Sequence, residues 1–408
     1  MTAHRSVVIA GAGIIGVTSA LELRRRGYDV TLADPGPLPH PDAASTDVNK
    51  AIRMDYGSDT LYIEMMEEAF RGWDEWNRCW PEPPYHQDGF LLLAASPMRA
   101  GEFEGDSYAT LTRRGYALER LDARALAARF PAWRAAPYPD GYINPRGGWA
   151  ESGRVVARLV EVAREEGVVL REGVRFARLV EEGSRVVGIE LASANDGAAR
   201  DARSGANEIV RADFVIAAAG AWTPALIPQL AGVIDIVGQP VLHFAPRDPA
   251  PFRAPHFSVW TADITNTGWY GFPALPNGIV KIGNHGPGRP MHPDAPRHVT
   301  DEEIARFRAF THAALPDLAD APIASTRVCL YSDSWDGDFY IDHDPDRPGL
   351  LFATGGSGHA FKFAPILGAL VADTLERKSN RYAPRFAWRA RGGGKKEQAR
   401  FKAPDNTR

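Results

Sequence analysis

Cysteine is almost missing from this chain: Cys79 and Cys329 are the only two among 408 residues. Two distant thiols cannot make a disulfide scaffold, so the fold rests on its own core, and a reducing compartment fits. No apolar run reaches the roughly 18 residues that a membrane span needs. Charge of one sign is not in excess either. Forty-seven Lys and Arg face 51 Asp and Glu, a net charge of −4, so no global field recruits nucleic acid or an anionic membrane. The apolar start SVVIAGAGIIGV runs straight into an amphipathic helix and lacks an A-x-A-like cleavage site, so it does not read as a signal peptide. The expectation is a cytoplasmic, soluble protein, acting as a monomer. Only the last twenty residues, RARGGGKKEQARFKAPDNTR, are Gly-rich, basic and poor in apolar residues. They read as a disordered tail over 389–408.

What is present is a long chain of alternating strand and helix signals, enough for two or three domains. Residues 6–10 predict a buried strand, 14–27 a helix ended by Gly27, and 28–33 a second strand closed by Asp34. Helices follow at 59–78, 152–167, 300–315 and 362–377. Strands are expected at 86–95, 174–180, 186–191, 212–222 and 350–354, and 193–207 is a polar loop. From 238 to 290, short β-prone runs separated by Pro and Gly suggest an antiparallel sheet. Nucleotide-type strands thus lie at the start, middle and end of the chain, with antiparallel material between them. The expected fold is α/β: a discontinuous Rossmann-type domain (1–85, 146–235 and 325–382) and a substrate domain on a mainly antiparallel sheet (86–145 and 236–324).

Gly11, Gly13 and Gly16 form G-x-G-x-x-G between the first strand and the first helix. The first glycine permits a tight turn, the second lets backbone approach a pyrophosphate, and the third lets helix and strand pack closely. The helix N-terminus offers amide N–H groups to phosphates. Asp34, at the end of the second strand, can accept from ribose hydroxyls. Together these indicate a dinucleotide. FAD rather than NAD is suggested by the C-terminal strand 350–354 and GGSGHAF, whose helix would turn its positive end toward a flavin.

Five ordered stretches then carry a family resemblance: GAGIIG with Asp34, STDVNKAIRMDYGSD at 45–59, WYGFP with GIVKIGNHG across 269–286, RVCLY at 327–331, and GGSGHAFKF at 355–363. With these the chain resembles the FAD-dependent amine oxidases of the D-amino-acid oxidase superfamily, in the monomeric sarcosine oxidase, pipecolate oxidase and fungal saccharopine and fructosyl-amino-acid oxidase branch. The resemblance spans roughly 5–380. It implies that Cys329 attaches the flavin covalently, with Arg327 favouring its thiolate; taken alone, Cys329 would read as a small buried hydrophobe. It implies that Lys281 activates dioxygen, a fixed cation stabilising the developing anion. It implies that Arg53 and Lys362 bind a substrate carboxylate. Lys50 stands where sarcosine oxidases have arginine, and with Asp47, Val48 and Asn49 it completes the D-x-N-K pattern of the saccharopine and fructosyl side. Thr46 falls near a family histidine that is absent here. Tyr270, His285, Tyr331 and His359 fall in positions that line the flavin or substrate pocket. The remaining flavin contacts implied are Ile14, Ile15, Ser45, Val174, Gly220, Trp222, Gly356, Gly358 and Phe361. No metal is expected.

The activity implied is oxidation of a secondary amino acid, with hydride transfer to FAD, an imine product and O₂ reduced to H₂O₂. Alternatives are a biosynthetic oxidase whose iminium is captured intramolecularly, a dehydrogenase using another acceptor, and a flavin-binding module without turnover. The partners expected are a small amino-acid substrate and O₂.

Overall fold

The apolar run Ser6–Ala10 forms an inner strand of a six-stranded sheet. The structure, a computed structural model, describes residues 5–194, 207–393 and 399–400. In order across that sheet lie Tyr340–His343, Leu350–Thr354, Phe214–Ala217, Ser6–Ala10, Asp29–Asp34 and Val169–Glu172. All pairings are parallel except the edge strand Tyr340–His343. Val7, Val8 and Ile9 are all buried, as expected of a parallel strand covered on both faces. The helices Ile14–Arg25 and Ala364–Leu375 pack on each other beside it. The sheet therefore draws its strands from three separated parts of the chain.

The second layer is a nine-stranded sheet. Its pairings are antiparallel apart from Val259–Ala262 against Phe90–Ala94. Its longest ladder joins Ile234–Phe244 to Ile323–Ser334, in register from Ile234↔Ser334 to Phe244↔Ile323. A domain boundary at 325 therefore falls inside one strand, and is corrected: the strand carrying Cys329 belongs to the substrate sheet. Its Val328–Tyr331 portion is buried on both faces, so in sequence it reads like a nucleotide-domain strand. Trp260 and Trp269 stack on Phe310 in this domain's core.

The hairpin strands Val174–Glu182 and Arg185–Ser193 form as expected. Most of the polar loop at 193–207 lies outside the described residues. A helix at Asp301–Ala314 carries a capping box from Thr300 and Glu303.

The described part of the basic end, residues 389–393 and 399–400, departs from the expectation of a solvated tail. Arg389 pairs with Asp336 at 2.6 Å, and Arg391 with Asp235 at 2.9 Å. Ala399 is buried, and Arg400 donates to Asp333 at 2.7 Å. The composition is tail-like, but Arg389, Arg391 and Arg400 each meet a carboxylate on the folded body. Residues 394–398 and 401–408 lie outside the described residues. Among the described residues, no helix is long and apolar enough to cross a membrane.

At Gly16 a Cβ would stand 1.8 Å from the Gly11 carbonyl oxygen. Backbone cannot yield as a side-chain tip can, so Gly16→Ala is expected to destabilise the fold by about 1–3 kcal/mol. Thermal and denaturant unfolding of the variant measure this.

Candidate active site

Four groups of residues make up the site. The first is the glycine turn. Gly11 takes φ +104°, and a Cβ there would meet the Ala218 carbonyl oxygen at 2.6 Å. Gly13 caps the helix with no side-chain hydrogen bond, and the first helical turn holds no acidic residue. A Cβ on Gly13 would meet only Ser45 Oγ, at 3.5 Å, so space lies open above the helix N-terminus. Ile14 N–H donates to Ser45 Oγ at 3.2 Å. Asp34 is buried and accepts from the backbone N–H of Ala12 at 2.8 Å and of Gly36 at 3.0 Å. This donor set fits a pyrophosphate and a ribose.

The second group centres on a carboxylate that sequence reasoning had not placed in the site. Asp47 is 2 % exposed. Its Oδ2 accepts from Lys281 Nζ at 2.6 Å and from Lys50 Nζ at 3.1 Å. The Cys329 thiol donates a weak, long bond to the same oxygen at 3.9 Å. Burial opposes ionisation of Asp47, but Lys281, Lys50 and Arg327 outweigh it and hold the carboxyl well below its usual range. Lys281 is fully buried. It donates also to the Asn49 carbonyl at 2.7 Å and lies 4.5 Å from the Phe272 ring centroid. Desolvation, partly offset by Asp47, brings Lys281 down to about 8. The Asn49 side chain is fully buried, and neither its Oδ1 nor its Nδ2 has a partner among the described residues. An orphan amide is costly, and a flavin's polar ring edge has the chemistry to satisfy it.

The third group centres on Tyr56, also unforeseen. Lys362 Nζ donates to Tyr56 Oη at 3.0 Å and to the His359 carbonyl at 2.9 Å. The Arg53 guanidinium lies 5.0 Å from the Tyr56 ring centroid and donates to the Asp55 carbonyl. His359 Nδ1 meets Tyr56 Oη at 3.2 Å. Arg53 and Lys362, both buried, are thus brought to one ring. A cavity of about 260 Å³ opens beside it, lined by Tyr56, Tyr62, Phe103, His359 and Ala399 among others.

Between these groups stands a wall of aromatics. Tyr270 hydrogen-bonds Tyr331, and burial pushes Tyr331 up to about 12. Gly283 makes room for the Tyr270 ring, which a Cβ would meet at 2.4 Å. Gly358, at φ +75°, does the same for Tyr331, at 2.3 Å. The His285 ring lies 5.8 Å from that of Tyr331. Gly356 lies in the same turn, its carbonyl accepting from His359 N–H at 2.8 Å. Gly220, at φ +53°, accepts from Thr354 Oγ1 at 3.4 Å.

The other expected contacts have these partners within the protein. Ile15, Val174 and Phe361 pack in hydrophobic clusters. Thr46 Oγ1 turns back to the His40 carbonyl at 2.6 Å. Trp222 donates to Asp294 at 2.6 Å, with Arg297 against its ring. Asp47 and Asn49 were visible only as part of a family pattern; nothing in their spacing marked them as partners of a lysine 234 and 232 positions away.

With this geometry in place, known proteins give a consistent picture. The pattern of the FAD dependent oxidoreductase family matches residues 6–374. N-methyl-L-tryptophan oxidase from Citrobacter koseri is 29% identical over 383 residues, covering 91% of this chain and 95% of its own. The Escherichia coli protein of that name is 26% identical over 386 residues, covering 92% and 95%. Among solved structures, the fructosamine oxidase Amadoriase II from Aspergillus fumigatus superposes with a TM-score of 0.82 at 26% identity, covering 99% of this chain and 95% of its own. The glycine turn, the strand order and a match over nearly the whole chain agree, and this chain belongs to the FAD dependent oxidoreductase family.

Proposed function

We propose that this protein oxidises an N-substituted amino acid and passes the electrons to dioxygen. The observation that carries the reading is the pairing of two buried cationic centres: Lys281 held by Asp47, and Arg53 with Lys362 around Tyr56. Bound FAD supplies the two-electron acceptor for the amine carbon and the donor for dioxygen.

The chain's own residues divide the remaining tasks. Arg53 and Lys362 receive the substrate carboxylate, Arg with a planar fork and Lys as a point charge. Their charge disfavours an ammonium beside them, so the amine binds in its neutral, oxidisable form. The cavity beside Tyr56 takes the substrate's side chain or N-substituent. Lys281 presents a fixed ammonium in a site without bulk water, where charge developing on oxygen is stabilised most. Asp47 and the Asn49 carbonyl fix its direction. Lys50 and Tyr331 extend the same polar wall, and Tyr270 and His285 close it.

Covalent attachment through Cys329 belongs to this reading. The thiol faces the Asp47 carboxylate, with Arg327 alongside. The protein is expected to stay yellow after acid precipitation, the flavin travelling with the peptide that carries Cys329. Cys329→Ser should release the flavin to the supernatant, whereas full release from the wild type would remove this part of the proposal.

Arg53→Ala or Lys362→Ala should weaken substrate binding about 10- to 100-fold, the loss of a charge-assisted hydrogen bond. Titration of flavin absorbance under anaerobic conditions reads this, and the decarboxylated amine should show much less sensitivity. Equal turnover of the acid and its decarboxylated amine would overturn an amino-acid substrate.

Lys281→Met should slow reoxidation of the reduced enzyme by about 10²- to 10³-fold while changing the reductive half-reaction little. The pH dependence has a definite sign. Lys281 sits at about 8, below its ordinary value, so the cation is present below that pH and lost above it. The rate with oxygen should therefore fall as pH rises through about 8 in the wild type and lose that step in Lys281→Met. Stopped-flow oxidation across pH measures both.

A further inference from the structure

Building on the oxygen-activating reading of Lys281, we infer that Ser325 and His243 form the path along which that lysine regains a proton from solvent. Lys281, His243 and Ser325 lie side by side on three neighbouring strands. The ladder of Ile234–Phe244 with Val280–Asn284 sets His243 opposite Lys281, and the ladder with Ile323–Ser334 sets His243 opposite Ser325. Side chains directly opposite in antiparallel strands rise from the same face, with Cβ atoms about 4.5–5.5 Å apart. The three side chains thus make one row across the sheet.

Exposure falls along this row. Ser325 is open to solvent, His243 is 6% exposed and Lys281 is 0% exposed. Ser325 Oγ and His243 Nδ1 are 3.1 Å apart. Nε2 is fully enclosed and finds no hydrogen-bond partner among the described residues. A buried ring nitrogen left unpaired has a cost, and the ring that carries it stands opposite Lys281 in the ladder. Burial first, and then the neighbouring Lys281, push His243 below its usual value. The ring is therefore neutral, and a neutral imidazole can accept at one nitrogen while giving at the other. The other charges facing the row are Asp47 and Arg327 at His243, and Asp47 and Lys50 at Lys281.

The reaction needs such a path. Dioxygen taken to hydrogen peroxide gains two electrons and two hydrogens. Both electrons and one hydrogen come from the reduced flavin, so one further proton must come from the protein. The Lys281 ammonium gives that proton and becomes a neutral amine. Nε2–H of His243, the residue opposite Lys281 in the row, restores it. Nδ1 then takes the hydroxyl proton of Ser325, and solvent returns one to Ser325. No charge remains on the row; the ring is left with its proton on Nδ1 in place of Nε2, and this tautomer reverts before the next turnover.

The test follows protons directly. Photoreduced holoenzyme is mixed with oxygen in weakly buffered solution containing a pH indicator. In the wild type, uptake of one proton per flavin should keep pace with the return of flavin absorbance. In His243→Gln, a non-titrating side chain of similar size, flavin absorbance should return within about twofold of the wild-type rate while proton uptake lags about tenfold or more. Ser325→Ala should lag in the same sense, and added imidazole should close the lag in His243→Ala. Uptake that tracks oxidation in His243→Gln would overturn the path, as would slowed oxidation without a separate lag, since that marks a packing role. The parent reading fails differently: Lys281→Met would then reoxidise as fast as the wild type. A slowed Lys281→Met beside an unlagged His243→Gln would leave the oxygen role standing and remove only the path.

Discussion

The buried ion pair between Asp47 and Lys281 is the interaction on which the arrangement of this site depends. It joins the two layers of the molecule. Lys281 belongs to the nine-stranded sheet. The Asp47 segment is tied to the nucleotide side, because the Asp47 carbonyl accepts from Ser152 Oγ at 2.6 Å and from Gly153 N–H at 3.0 Å. Taking two ions out of water costs several kcal/mol each, and such a pair is often replaceable by apolar residues without loss of stability. On the proposed function, the pair serves the cation rather than stability. A lysine without Asp47 would lose its proton in this site, because both burial and Lys50 disfavour the charge.

The same logic separates the two cationic centres. Around Asp47, positive charge is neutralised by protein and directed at a point. Around Tyr56, Arg53 and Lys362 gather at one ring beside a cavity, where the proposed function places an incoming anion. The aromatic wall of Tyr270 and Tyr331 stands between the centres, and it can do so because Gly283 and Gly358 have no side chain.

Much of this was legible in the sequence because it is local. The glycine turn, Asp34 and the strand 350–354 each announce themselves within a few residues, and the parallel sheet follows from buried strands that read as continuous apolar runs. What was illegible is what depends on strand register or on contacts between distant segments. Asp47 meets Lys281 only because the two layers close on each other. His243 meets Lys281 and Ser325 only through two ladders whose register no short motif records. The basic end misled for the opposite reason. Its composition is that of a disordered tail, yet Asp235, Asp333 and Asp336 supply matching charges from elsewhere in the fold.

If Asp47 serves oxygen chemistry through Lys281, the two cannot act independently. The most direct measurement is a cycle of Asp47→Asn, Lys281→Met and the double variant, each as holoenzyme, with the rate of reoxidation by oxygen read in stopped flow. Asp47→Asn should slow reoxidation while Lys281 is present and change it little once Lys281 is methionine, so the two effects fail to add. An equal slowing by Asp47→Asn in both backgrounds would contradict the account, because the carboxylate would then act by some route other than the lysine it holds.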